Sequence, residues 1–165
     1  MNNLEKFKDI NAFIFDVDGV LTDGQVLVQE DGLLLRSMNT RDGYAMQLAA
    51  SLGYQIAIIT GGNSVGVERR LLNLGISKVY LKVANKIEAY EHFIQTYELD
   101  EDKILYMGDD MPDLPPMRRV GLPCCPADAA PEIKAVSRYI SPLSGGAGCV
   151  REVMEKVLKL NGKWR

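Results

Sequence analysis

The chain has 165 residues, of which 47% are hydrophobic and 25% are charged, and its formal net charge at pH 7 is −3. This length and composition suit one globular domain over residues 1–165 and argue against a second one. The lysines and arginines are scattered, so no polybasic footprint for nucleic acid is present. The sequence has no apolar stretch that could span a bilayer and no signal-peptide pattern near its start, so we expect a cytoplasmic protein.

The first predicted strand, residues 12–15, is a short and wholly apolar run. Such a run is typical of a parallel strand that is buried on both faces. Asp16 and Asp18 follow it directly, and Gly19 supplies a tight turn. Ligands of open α/β sheets collect beyond the carboxyl ends of the strands. Two carboxylates at this point repel each other, and a bound divalent cation relieves the repulsion.

A β-hairpin is predicted next, as a flap over about residues 24–38. Two short apolar runs, 25–29 and 33–36, surround a Glu-Asp-Gly turn, which is a hairpin pattern. An isolated hairpin is only marginally stable in water. This one carries four leucines, so we expect it to pack against another subunit; they are Leu27, Leu33, Leu34 and Leu35.

The rest of the chain alternates apolar runs with helical patterns such as those of residues 42–52 and 86–97. This alternation predicts a doubly wound parallel sheet, a Rossmann-like α/β fold with three α/β/α layers. The loops that follow the strands then share one edge of the sheet. The further predicted strands are residues 55–59, 78–81, 103–107, 120–125 and 138–140.

The polar residues at that edge suit phosphoryl transfer through a carboxylate. Aspartate carboxylates can accept a phosphoryl group, so Asp16 is the candidate nucleophile and Asp18 the candidate acid/base. Thr60, which ends a predicted strand, is followed by Gly61 and Gly62. Its hydroxyl and the nearby N–H groups, at the expected start of a helix, are candidates for binding phosphate oxygens.

A cation and a metal complete this set of candidates. Lys86, at the start of its predicted helix, is expected to hold both Asp16 and the phosphate. Asp109 and Asp110 offer oxygen ligands suited to Mg²⁺, and Asp113 is expected to orient them. Each motif alone is more often structural, since Asp-X-Asp turns and helix-capping threonines are common. Their joint order along the strands is what favours a catalytic site.

Four motifs resemble those of the haloacid dehalogenase-like phosphohydrolases: DVDGVLTD (16–23), IITGG (58–62), Lys86 and MGDDMPD (107–113). The resemblance covers nearly the whole chain. It implies that Asp16 is the nucleophile, that Asp18 is the general acid/base, and that Thr60 and Lys86 bind phosphate. It further implies that Mg²⁺ is held by Asp16, the backbone carbonyl of Asp18 and Asp109, with Asp110 and Asp113 in support.

No cap domain is predicted, because only about forty residues separate Asp18 from Thr60, and the hairpin and one helix fill them. The hairpin and the segments 39–49 and 145–152 resemble the capless 3-deoxy-D-manno-octulosonate 8-phosphate phosphatases. That resemblance implies Mg²⁺-dependent hydrolysis of this sugar phosphate through an aspartyl phosphate, in lipopolysaccharide precursor synthesis. It also implies a homotetramer in which a neighbouring subunit completes each active site.

The residue after Thr-Gly discriminates between substrates in the subfamily that this chain resembles. An acidic residue there suits the relative that acts on a nine-carbon acid, whereas this chain has Gly62. We therefore expect the eight-carbon acid. Its anionic groups call for cations, and the candidates are Arg41, Arg69, Arg70 and Arg151. Two alternatives remain open at this point: a phosphatase for the nine-carbon acid or other sugar phosphates, and a catalytically silent module that binds a sugar phosphate. A receiver-type phospho-accepting module is disfavoured, because receivers resemble chains in which an acidic pair precedes the acceptor aspartate, whereas here the candidate acceptor Asp16 comes first.

Overall fold

The computed structural model describes residues 2–165, which form seven helices and eight strands connected mostly by short loops. In chain order they are α1 (Asn3–Asp9), β1 (Ala12–Phe15), β2 (Leu27–Val28), β3 (Leu34–Leu35), α2 (Thr40–Ser51), β4 (Gln55–Ile59), α3 (Val65–Asn73), β5 (Lys78–Tyr80), α4 (Lys86–Thr96), β6 (Ile104–Met107), α5 (Leu114–Met117), β7 (Leu122–Cys125), α6 (Pro131–Val136), β8 (Tyr139–Ile140) and α7 (Cys149–Leu160).

Six of the strands form one parallel sheet in the order β5-β4-β1-β6-β7-β8. Strand β1 lies in the middle, where Phe13 pairs with Ile56 on one side and with Leu105 on the other. All six predicted strands are confirmed: two have the predicted ends, and the other four differ at one end by one or two residues. Because β1, β4 and β6 are adjacent, the residues that follow them meet at one edge.

Each face of the sheet is covered by its own hydrophobic core, since successive side chains of a strand point to opposite faces. Phe13 and Phe15 pack into a core with residues of α1, α2, α3 and α7. Ala12 and Ile14 point the other way and pack with residues of α4, α5 and α6. These layers confirm the predicted three-layer α/β/α fold.

The hairpin forms a separate two-stranded ribbon of β2 and β3, with Leu27 paired to Leu35. Its side chains face solvent in the single chain, with Leu27 66% exposed and Leu33 60% exposed. Within residues 2–165, a short helical turn (Val17–Leu21), this ribbon and α2 lie between β1 and β4, and no further helix or strand does. None of the helices in the same range is both long and apolar enough to cross a membrane.

Candidate active site

A cleft of about 400 Å³ opens at the carboxyl edge of the sheet, beyond β1, β4 and β6. It brings together most of the predicted site residues, although nearly a hundred positions separate the first from the last. Those that line it are Asp16, Asp18, Thr60, Gly61, Gly62, Lys86, Asp109 and Asp110.

The loop after β1 turns sharply to position both of its aspartates. The Asp16 N–H donates to the carbonyl of Met107 at 3.2 Å, and the Asp16 carboxylate accepts from the Val17 N–H at 2.7 Å. Gly19 then adopts φ +88°, a conformation that side chains disfavour. A Cβ at this position would overlap the Asp109 carboxylate. Glycine is therefore required both for the turn and for the approach of Asp109.

Lys86 lies between two buried carboxylates. Its Nζ is 3.0 Å from Asp16 Oδ1 and 2.7 Å from Asp113 Oδ1, and all three side chains are nearly inaccessible. Burial disfavours the charged ammonium, but the two carboxylates outweigh burial and raise the pKa of Lys86. Helix α4 begins at this residue, with the Asn85 side chain accepting from the Ile87 N–H. The helix start thus fixes where the ammonium enters the site.

Asp113 is the hydrogen-bonding centre beneath the cleft. Its Oδ1 accepts from Lys86 and, at 2.9 Å, from the Tyr106 hydroxyl, while its Oδ2 accepts from the Asp109 N–H at 3.0 Å. This geometry suits the supporting role predicted for Asp113. Tyr106 was not among the predicted site residues. A tyrosine inside an apolar strand could have indicated it, because a buried hydroxyl requires a hydrogen-bond partner.

The acidic side of the cleft fits a divalent cation. Oxygen atoms of Asp16, Asp109 and Asp113 lie within 4.8 Å of one another. Asp109 Oδ1 is buried without a hydrogen-bond partner, whereas the Asp113 oxygens are already occupied. Burial and neighbouring carboxylates raise the pKa of Asp16 well above its usual range, and burial raises the pKa of Asp109 to about 6. An oxygen-only, electron-rich set of this kind suits Mg²⁺.

Thr60 lies at the end of β4, opposite the acidic side. It is buried, its N–H donates to the Tyr80 carbonyl, and its Oγ1 accepts from the Gly62 N–H at 3.0 Å. The prediction that Thr60 and its glycines adjoin the start of a helix was imprecise. Helix α3 begins at Val65, where the Ser64 side chain caps it. Any phosphate at Thr60 would therefore contact the loop rather than the first turn of α3.

The Asp18 carboxylate is held by Arg36, a residue of the hairpin that the sequence analysis missed. Arg36 Nε donates to Asp18 Oδ1 at 2.7 Å, and Nη2 donates to Oδ2 at 3.1 Å. The sequence feature that could have indicated Arg36 is its position as the one cation at the end of the apolar run 33–36. Both carboxylate oxygens of the predicted acid/base thus have a partner on the flap.

The predicted arginines lie outside the cleft in the single chain. Arg41 is exposed in the first turn of α2. Arg151 lies over the Trp164 ring at 4.6 Å and near Tyr44. Arg70 lines a groove of about 330 Å³ that it shares with Arg36. Their roles in substrate binding stay predictions.

The glycine-rich segment before α7 packs on the loop that carries Asp18. The Gly146 N–H donates to the Val20 carbonyl at 3.0 Å. A Cβ at Gly145 would overlap the backbone carbonyl of Gly19. The Asn39 side chain donates to the Gly146 carbonyl at 3.2 Å and ties the start of α2 to the same place. Residues near positions 39 and 145 therefore fix the geometry of the loop that carries Asp18.

Comparison with known proteins agrees with this arrangement. Residues 72–151 match the haloacid dehalogenase-like hydrolase family. The chain is 37% identical over 160 residues to the 3-deoxy-D-manno-octulosonate 8-phosphate phosphatase KdsC of Escherichia coli, covering 97% of this chain and 85% of the relative.

Solved structures give the same result. The crystal structure of the 3-deoxy-D-manno-octulosonate 8-phosphate phosphatase from Yersinia pestis superimposes with a TM-score of 0.93 at 34% identity, covering 97% of this chain and 86% of that one. The enzyme of the same name from Moraxella catarrhalis, solved with magnesium, phosphate and KDO, gives a TM-score of 0.90 at 36% identity, covering 95% and 90%.

The sheet, the paired aspartates and the buried lysine thus define a phosphatase of the haloacid dehalogenase-like class, a phosphoric monoester hydrolase whose cofactor is Mg²⁺. Within that class, the chain belongs to the family of the 3-deoxy-D-manno-octulosonate 8-phosphate phosphatases.

Proposed function

We propose that the protein hydrolyses 3-deoxy-D-manno-octulosonate 8-phosphate to the free sugar acid and inorganic phosphate, as a step in lipopolysaccharide precursor synthesis. Residues 1–165 act as one phosphatase domain with a hairpin flap. The observation that carries the proposal is the buried Asp16 carboxylate, 3.0 Å from the Lys86 ammonium and beside Asp109. The names of the relatives and the KDO in the Moraxella enzyme support the choice of substrate.

Asp16 is the nucleophile of the proposed reaction. A carboxylate oxygen of Asp16 attacks the phosphorus, and the bond from phosphorus to the sugar oxygen breaks. Asp18, released from Arg36 and protonated from solvent, donates that proton to the departing oxygen, which yields the sugar alcohol and an aspartyl phosphate. Asp18 then takes a proton from water as the water oxygen attacks the phosphorus, which restores Asp16 and releases phosphate. The cycle consumes one water and leaves both aspartates as they began.

The remaining residues balance charge and hold the phosphate. Lys86 stays within reach of Asp16 and of a phosphoryl oxygen. Thr60 donates its hydroxyl proton to the phosphate, while its oxygen accepts from the Gly62 N–H and Gly61 lies beside it. Mg²⁺, held by Asp16, Asp109 and the backbone carbonyl of Asp18, supplies positive charge next to the phosphoryl oxygens. Electrostatic positioning of this kind contributes most of the rate enhancement in phosphoryl transfer.

Asp18→Asn tests the acid/base role. The variant keeps the shape of the side chain and its place at the mouth of the cleft, so phosphate binding should persist while turnover falls by about 100-fold or more. Calorimetric titration with inorganic phosphate and a phosphate-release assay measure the two effects separately. Turnover equal to that of the wild type would exclude the role.

A homotetramer in which a neighbouring subunit completes the site is the second part of the proposal. The apolar ribbon is exposed in the single chain, and it lines a groove together with Gly61 and Gly62, which also line the cleft. A contiguous exposed apolar patch of this kind often marks an interaction surface. A neighbour seated there would close the cleft and exclude water. It would also bring further side chains, Arg41 and Arg151 of another subunit among the candidates, towards the sugar.

The proposed substrate is tested by measuring phosphate release from the eight-carbon substrate, its nine-carbon analogue and a panel of hexose phosphates, each with Mg²⁺ and with EDTA. We expect fast Mg²⁺-dependent release from the eight-carbon substrate. Preference for the nine-carbon analogue would agree with the proposed mechanism but would contradict the proposed substrate. Absence of release from all of them would leave a silent binding module as the better description.

A further inference from the structure

Arg36 forms the link between the hairpin and the catalytic loops. Its guanidinium grips Asp18 through two hydrogen bonds, at 2.7 and 3.1 Å, and its side chain is only 7% exposed. In the described part of the chain, no other hydrogen bond or ion pair joins residues 27–36 to those loops. The flap is therefore tied to the site by one charged side chain.

Gly62 provides the space that this guanidinium occupies. A Cβ on Gly62 would lie 3.0 Å from Arg36 Nη2 and 3.4 Å from Thr60 Oγ1. Arg36 thus lies beside the loop that follows Thr60, and it also contacts Asp18. The absence of a side chain at position 62 therefore determines where the cation of the flap can lie.

The pairing cannot persist through the proposed reaction. Both oxygens of Asp18 are engaged by Arg36, whereas proton transfer to the sugar oxygen needs at least one of them free. If Asp18 is released, the guanidinium loses its counterion unless another anion takes the place of Asp18. The phosphoryl group is held at the other side of the cleft by Lys86 and Thr60, so the replacement must come from elsewhere on the substrate.

The shape of the guanidinium selects the replacement. A planar fork that already binds one carboxylate bidentately is matched to a second carboxylate. Lys86 is not available to the substrate carboxylate, because in the proposed reaction that ammonium contacts Asp16 and the phosphoryl group. Arg36 also lines a groove of about 330 Å³ with Arg70, and none of Asp16, Asp18 and Asp109 lines it, so the carboxylate end of an extended substrate has room there.

We propose that Arg36 is the specificity-determining residue of the hairpin: its guanidinium exchanges the Asp18 carboxylate for the carboxylate of a sugar-acid substrate. Binding of the correct substrate then frees the acid/base, and a sugar phosphate without a carboxylate leaves the Arg36–Asp18 pair intact. The inference rests on the proposed function for the identity of the acid.

The test is a binding measurement that does not depend on turnover. Calorimetry with Mg²⁺ present compares wild type, Arg36→Gln and Arg36→Lys, using free 3-deoxy-D-manno-octulosonate, its methyl ester and inorganic phosphate as probes. We expect Arg36→Gln to bind the free acid about 10- to 100-fold more weakly, with Arg36→Lys in between. The ester and phosphate should bind wild type and Arg36→Gln alike.

Gly62 gives an independent test. Gly62→Ala should displace the guanidinium and lower the affinity for the free acid by about tenfold. The matched control is the methyl ester, which lacks the carboxylate, so Gly62→Ala should bind it as tightly as the wild type does. Arg118→Gln, an exposed charge at the end of α5, is the control for net charge.

Two outcomes would overturn the inference. One is free acid binding as tightly to Arg36→Gln as to wild type. The other is an equal loss for acid, ester and phosphate, which would show that Arg36 only shapes the site. Failure of the proposed function is distinct, because it would appear as absence of phosphate release by a wild-type protein that still binds the acid through Arg36.

Discussion

The Lys86 ammonium lies 3.0 Å from Asp16 Oδ1, and both side chains are almost completely buried. A buried ion pair is expensive to form, since both charges lose their hydration. Here the lysine also satisfies Asp113, so one cation holds two carboxylates that would otherwise repel each other. The same contact therefore contributes to the folded state and to the reactivity of Asp16.

Lys86→Met should destabilise the protein by about 3 kcal/mol, because it leaves Asp16 and Asp113 facing each other without a cation. Chemical denaturation of the metal-free protein measures the loss. This loss of stability should become smaller at lower pH, since protonating one of the two carboxylates removes the repulsion between them. Lys103→Met, at an exposed position, is the control, and equal losses for the two variants would contradict this account.

Asp16→Asn should lower turnover by about 1,000-fold or more, because an amide cannot serve as the phosphoryl acceptor. The fold should be retained, since the Asn oxygen can still accept from the Val17 N–H as Asp16 does. Phosphate release and thermal melting test the two statements on the same sample. Substantial activity in a correctly folded variant would remove Asp16 as the nucleophile.

Asp42 should make stability depend on pH below neutrality. It is 1% exposed, it accepts from the Arg151 N–H at 2.9 Å, and its Oδ2 has no partner. Burial raises its pKa from 3.8 to about 6, so the folded state favours the protonated form. The stability that Asp42 contributes is therefore fully present below about pH 4 and is lost as the pH rises to about 6.

Asp42→Asn removes this dependence. Relative to wild type, the variant should gain up to about 3 kcal/mol between pH 4 and pH 7, since a shift of about two pKa units corresponds to that free energy. Denaturation at a series of pH values measures it. Asp9→Asn, at an exposed position, should give a profile parallel to that of the wild type. A parallel profile for Asp42→Asn as well would refute the assignment.

The apolar ribbon should hold the proposed tetramer together. Placing charges on it with the double variant Leu27→Lys, Leu33→Lys should give monomers, because both leucines are about two-thirds exposed in the single chain and would be buried between subunits. Light scattering after gel filtration gives the mass. Leu72→Lys, on a half-exposed position of α3, is the control. A tetramer that survives the double variant would exclude this interface.

The sequence predicted the sheet well because its strands are buried on both faces. Runs such as residues 12–15 and 55–59 are apolar throughout, and this pattern survives whatever packs around it. The catalytic edge follows from the same feature, because parallel strands deliver their carboxyl ends to one place. Asp16, Thr60 and Asp109 were therefore predictable as neighbours from local sequence alone.

Contacts made by single long side chains were not predictable in this way. Arg36 reaches Asp18 across the base of the hairpin, and Tyr106 reaches Asp113 beneath the cleft. The spacing and composition of the sequence indicate neither pairing, since both contacts depend on the angle between two elements. Arg151 shows the same limit: its position over Trp164 depends on how the last residues fold back, which no local pattern specifies.

The contact of Gly145 and Gly146 with the catalytic loop also bears on biosynthesis. The loop that carries Asp16 is made early, but the backbone that packs against Gly19 and Val20 is made more than 120 residues later. A nascent chain can thus assemble most of its sheet while that loop still lacks support. The proposed activity is then expected only after residues 145 and 146 have been made and have packed on the loop.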